Sequence, residues 1–148
     1  MIESSMLYTC AFFGGLNDKQ ILLVESLMKK ETYNPGEKAV TENQPNDSLR
    51  FILEGTFLLQ KNGIKLVEFA PGDVFGEIEM LDAAPAAATI TAQTPAKLLS
   101  FSHHAFHELY KQDIYAFALI VMNLARDACR RLRHMDDLAV KAPENYSI

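Results

Sequence analysis

A chain of 148 residues is the length of one domain, and 49% hydrophobic with 22% charged residues excludes a disordered chain. The net charge of −5 argues against free nucleic-acid binding, which rests on lysine and arginine neutralising phosphates. Cys10 and Cys129 form no CxxC pair, which excludes a disulfide framework, a four-cysteine zinc site and a cysteine-held iron–sulfur cluster.

Other exclusions follow from the same reading. A reduced, cytoplasmic setting is expected from the cysteine usage. No run approaches the roughly 18 apolar residues of a spanning helix, so no membrane partner is expected. The N-terminal stretch MIESSMLYTCAFFGGL lacks the basic residues of a secretory leader.

One domain spans 1–148, in three textures. Residues 12–31 read as a helical region. Within it NDKQILLVESLMKK (17–30) predicts a helix that Asn17 or Asp18 can cap, with Ile21, Leu22, Val24, Leu27 and Met28 as its apolar face. Residues 32–101 read as a β-roll. Turn signals recur at Asn34-Pro35-Gly36, Pro45-Asn46-Asp47, Gly55, Asn62-Gly63 and Pro71-Gly72. Between and after them lie KAVTE, LRFILE, TFLLQK, IKLVEF, ATITAQ and AKLLSF, short strands of a sandwich or barrel-like roll. Asn62-Gly63 predicts a type I′ hairpin.

Residues 102–140 read as helices. Ser102 can cap a helix through Lys111. A longer helix then runs from about Gln112 to Val140. Ile114, Phe117, Val121, Leu124, Ala128, Met135 and Leu138 recur near a 3.5-residue spacing, and Ala118, Ala125, Leu132 and Ala139 widen the stripe. Such a helix outreaches one small roll, so part of the stripe is expected to pack on a second copy, giving a homodimer. The alternative is a helix folded back on its own domain.

FGEIEMLDAAPAAATI (75–90) has the rhythm of a glycine-led short helix passing into a strand. A helix starting near Gly76 points unpaired N–H groups at one spot and favours an anion there. The Glu77 carboxylate can accept hydrogen bonds from sugar hydroxyls or support the short helix through its dipole.

These stretches resemble the cyclic-nucleotide-binding domain family, which includes catabolite activator proteins, regulatory subunits of cyclic-AMP-dependent kinase and nucleotide-gated channels. Tyr33-Asn34-Pro35-Gly36-Glu37 is similar to the family's first turn, and Asp47 to Gly55 to its third strand. Pro71 to Ile78 resembles the start of its phosphate-binding cassette, and Pro85 to Ile90 the end. The resemblance implies a mainly β, jelly-roll-like double-stranded β-helix with a helix before it and a long helix after it. It implies a ligand site at Val74, Gly76, Glu77, Ile78, Ala86 and Ala87, with Glu77 accepting the ribose 2′-hydroxyl.

Ala86 departs from the pattern, because the family carries there an arginine that pairs with the cyclic phosphate. A charge-assisted hydrogen bond contributes roughly 1.5–3 kcal/mol, so its loss weakens affinity on the order of ten- to a few-hundredfold. Arg130 and Arg131 fall near the family's base-contacting position on the last helix. They could stack on a purine or reach an anion; alternatively, with Arg126 and Arg133, they form a solvated basic face near a helix end. A hydroxyl at position 87 favours guanine in the family, so Ala87 leans towards adenine.

His103, His104 and His107 have partial metal-ligand spacing but no completing ligand, and no metal site is expected. No catalytic signature occurs among GxxxxGK[ST], GxSxG, HExxH and CxxC, so no enzyme is expected. Nor does chain remain after the long helix for the helix-turn-helix DNA-binding domain of catabolite-activator-type regulators. The sequence therefore reads as a stand-alone regulatory domain binding a cyclic nucleotide such as cyclic AMP weakly and signalling through its C-terminal helix. The alternatives are a ligand-free dimerisation or protein-interaction scaffold, or a sensor of another small ligand such as an organic anion or haem.

Overall fold

The computed structural model describes residues 10–141; the first nine residues of the stretch tested for a leader lie outside it. Eight strands form two four-stranded antiparallel sheets. They are β1 (Lys29–Tyr33), β2 (Lys38–Val40), β3 (Ser48–Glu54), β4 (Phe57–Lys61), β5 (Ile64–Phe69), β6 (Val74–Phe75), β7 (Thr89–Ala92) and β8 (Ala96–Ser102). One sheet has the order β1-β8-β3-β6 and the other β2-β7-β4-β5. The helices are α1 (Asp18–Ser26), α2 (Glu77–Asp82), α3 (His103–Gln112) and α4 (Ile114–Lys141), preceded by a 3-10 turn at Ala11–Phe13. This is the mainly β roll with flanking helices that the sequence implied.

The period-2 alternation of the strands divides the core in two. On β3 and β8, Leu49, Phe51, Leu99 and Phe101 face the helices, where they pack with Phe12, Phe13, Val24, Leu109, Ile120 and Leu124. From the other face of the same strands, Ile52, Ala96 and Leu98 meet Val40, Phe57, Phe69, Phe75 and Ile90 between the sheets. Phe75 is fully buried, its ring 5.3 Å from Phe57 and 5.5 Å from Phe69, centroid to centroid. Burial of that ring anchors the chain immediately before Gly76.

Local signals account for the ends of the elements. Asn17 caps α1 in a reciprocal capping box with Gln20. Ser102 caps α3, accepting from the Ala105 N–H. Asn62 and Gly63 both take positive φ, 53° and 76°, as the hairpin between β4 and β5 requires.

Three expectations change. The first helix ends at Ser26 instead of Lys30, because Lys29–Tyr33 pairs with β8 as an edge strand. Its sequence, KKETY, has too few apolar residues to show the alternation. Leu22, read as part of the apolar face, is 65% exposed, and Ile21 and Val24 carry the burial. The long helix starts at Ile114 instead of Gln112, because Asp113 is extended and its carboxylate accepts from the Ala116 N–H at 3.0 Å.

The 28-residue α4 buries Ala116, Ile120, Asn123 and Leu124 against its own roll. Asn123 ties it to the N-terminal turn, donating to the Phe12 and Gly14 carbonyls at 3.0 and 2.9 Å. From Leu132 to Lys141 every residue is exposed, so the distal end of the helix projects past the roll. No helix among the described residues is long and apolar enough to cross a membrane.

Candidate functional site

The short helix α2 is held from both sides. Phe75 is buried in front of it, and β6 pairs with β3 through Arg50↔Phe75 and Phe51↔Val74. Gly76 has φ 89°, and a Cβ there would lie 2.7 Å from the Ser48 carbonyl and 3.0 Å from Asn46 Nδ2. Only glycine meets both the conformation and the space. On the far side Glu79 is buried and accepts from Asn46 Nδ2 at 3.3 Å. Asn46 Oδ1 accepts from Arg50 Nη1 at 3.0 Å, and Arg50 Nε donates to Glu31 at 2.9 Å. This polar relay pins α2 to the sheet, and Glu77 and Glu79 both line the cavity beside the helix.

Glu77 is 1% exposed. One of its oxygens accepts from Arg131 on α4; the other, Oε2, is buried with no partner among the described residues. Burial pushes its pKa above the ordinary carboxylate value, and the Arg131 guanidinium pulls against that rise. Arg131 also donates to the Val74 carbonyl, lies 3.4 Å from Asp127, and covers the Phe69 ring at 5.0 Å from its centroid. A planar guanidinium suits this site because it stacks and donates in a fork at once. The cavity left beside it is about 40 Å³. Ligand pockets are usually about 300–1,000 Å³, so this cavity, with Arg131 among its lining residues, is far smaller than that.

The structure brings Gly76, Glu77, Ile78, Ala87 and Arg131 to this one cavity. Val74 joins them through its carbonyl, and Ile78 is 46% exposed at the mouth. Ala86 does not line the cavity. It is 2% exposed and packs in the core between the sheets. Its N–H donates to the Gln44 carbonyl and its own carbonyl accepts from the Asn43 N–H, both at 2.9 Å. The solvated-face reading fails for Arg131, which is committed to Glu77 and Val74, and stands for Arg126, Arg130 and Arg133, which are exposed.

Sequence reasoning missed four contributors. Phe69 forms the floor beneath Arg131, Asp127 braces it one turn back, Glu79 fixes α2, and Lys61 donates to the Ala87 carbonyl at 3.0 Å. Only the i,i+4 pair Asp127–Arg131 had a local signal; the rest depends on strand pairing. Among the described residues no group of three or more His, Cys, Asp or Glu could hold a metal ion; His107 instead stacks on Tyr110.

Comparison with known proteins places the fold. The family model described as cyclic nucleotide-binding domain matches residues 30–113. The cAMP-dependent protein kinase regulatory subunit of Yarrowia lipolytica is 29% identical over 97 residues, which is 66% of this chain and 26% of that protein. Glutaminase 2 of Bradyrhizobium diazoefficiens is 27% identical over 131 residues, 88% of this chain and 21% of that one. Among solved structures, the catabolite activator protein of Thermus thermophilus superposes with a TM-score of 0.77 at 25% identity, over 89% of this chain and 63% of that chain. The chain thus spans about a quarter of the first relative's length and a fifth of the second's.

Proposed function

Because the chain belongs to the cyclic nucleotide-binding domain family, we propose that it is a regulatory domain, not an enzyme, that binds a cyclic nucleotide such as cyclic AMP weakly. The observation that supports a signalling role is the double commitment of Arg131. It belongs to α4 yet is bonded to Glu77 and Val74 inside the site. A ribose hydroxyl arriving at Glu77 competes with that guanidinium, so occupancy releases the distal part of α4. The weakness has two sources. Position 86 supplies no charge, and displacing Arg131 uses part of the binding energy. The small Ala87 side chain, which has no hydroxyl, leans the site towards adenine. The unpaired Cys10 and Cys129 are consistent with a reduced, cytoplasmic setting.

Calorimetry with cyclic AMP tests this. The expected dissociation constant lies above roughly 10 μM, from the missing charge-assisted contact; sub-micromolar binding would contradict it. A second reading, a ligand-free scaffold whose output is a protein partner, is favoured by the small residual cavity. Binding that stays undetectable at millimolar cyclic AMP would select that reading.

Assembly is part of the same proposal. Ile114, Ala118, Val121, Ala125, Ala128, Leu132, Met135 and Ala139 alternate steps of four and three residues along α4. That is a two-stranded seam with a 3.5-residue period. It faces away from Ala116, Ile120, Asn123 and Leu124, which pack on the roll. Leu124 and Phe117, read from the sequence as part of the stripe, belong instead to the inner side: Leu124 is 2% exposed and Phe117 packs against Phe106 and Tyr110. A parallel pairing of two copies buries the seam about a two-fold axis.

A further inference from the structure

Position 86 supplies no cation, Arg131 in the cavity is already bonded to Glu77 and the Val74 carbonyl, and a further cation, Lys61, is held at the rim by a bond to the Ala87 carbonyl. On β4 the side chains of Phe57 and Leu59 point between the sheets, opposite Ala92 and Ile90 of β7. That register ends at Gln60 opposite Thr89, and strand alternation puts Lys61, the last residue of β4, on the face shared by Phe57 and Leu59. Leu59, Ala87 and Ala88 all line the cavity next to Glu77. Lys61 Nζ donates to the Ala87 carbonyl at 3.0 Å, which holds the ammonium over the end of the cassette. Lys65, opposite Gln60, belongs to the other face of the hairpin.

We propose that Lys61 is the counter-charge for the ligand's anionic group, so that a ligand carrying both a phosphate and sugar hydroxyls lies between Lys61 and Glu77. This rests on the cyclic-nucleotide reading and adds the residue that meets the phosphate. The ammonium has three donors, so it can keep the Ala87 carbonyl and still reach a phosphate oxygen. It is exposed at the rim, so its effect is smaller than that of a buried arginine and falls with salt.

The test compares cyclic AMP with adenosine, which has the same base and sugar but no phosphate, by calorimetry at low salt. The wild type is expected to prefer cyclic AMP. Lys61→Met is expected to weaken cyclic AMP about two- to fivefold while leaving adenosine unchanged. Lys61→Arg is expected to keep the preference, and 0.5 M salt to shrink it. An unchanged cyclic AMP affinity in Lys61→Met, with the wild type still preferring cyclic AMP, overturns the role of Lys61 and leaves the cyclic-nucleotide reading standing. A wild type that binds neither ligand overturns both.

Discussion

Glu77 lines the cavity, and Ala86 packs in the core next to Ala87 of its lining. The folded-state pKa of Glu77 lies above its ordinary value because burial outweighs Arg131. Its stabilising share is therefore full below the ordinary carboxylate pKa and is lost as pH rises through the raised one. Glu77→Gln removes that loss. The difference in melting temperature, variant minus wild type, is expected to be more positive at pH 7 than at pH 4; a difference that falls with pH would contradict the raised pKa. Ala86 poses the opposite problem. An arginine there restores the missing charge, and cyclic AMP affinity is expected to rise about 10- to 100-fold. Because Ala86 is packed at 2% exposure, the same change is expected to cost about 1–3 kcal/mol of stability by overpacking. Calorimetry and thermal melts read the two effects separately, and no gain in affinity would favour the scaffold.

At the scale of elements, what could be read from the sequence was what local chemistry specifies. The Asn62-Gly63 hairpin, the Ser102 cap and the glycine-led α2 each depend on residues within a few positions of one another. β1 escaped notice because KKETY is polar and is ordered only by β8, more than sixty residues away. The cassette was legible as a motif, but Arg131 in its pocket was not, since that contact joins positions 54 apart. Ala83 also escaped. It ends α2 with φ 57°, a left-handed conformation that disfavours a Cβ. Ala83→Gly is expected to stabilise the fold by about 1 kcal/mol, read as an increase in the denaturation midpoint. A destabilised variant would mean that the alanine methyl makes a contact worth more than the relieved strain.

At the scale of the whole molecule, one helix carries both a residue of the cavity and an exposed apolar row. The inner face of α4 packs on the roll and carries Arg131 into the site, while the outer face carries the apolar seam. Arg126, Arg130 and Arg133 are exposed and none belongs to the apolar row. Leu132 is 64% exposed and lies on the proposed seam. Leu132→Asp is therefore expected to convert a dimer to a monomer without unfolding it, followed by light scattering over a concentration range. A wild type that is monomeric at high micromolar concentration would contradict the seam. If the pocket and the helix are coupled as proposed through Arg131, the most direct measurement of that coupling is cyclic AMP affinity in Arg131→Ala. Emptying the pocket of its guanidinium is expected to tighten binding about fivefold, the worth of a partly exposed ion pair. Weaker binding would contradict the claim, because Arg131 would then be a contact of the ligand instead of its competitor.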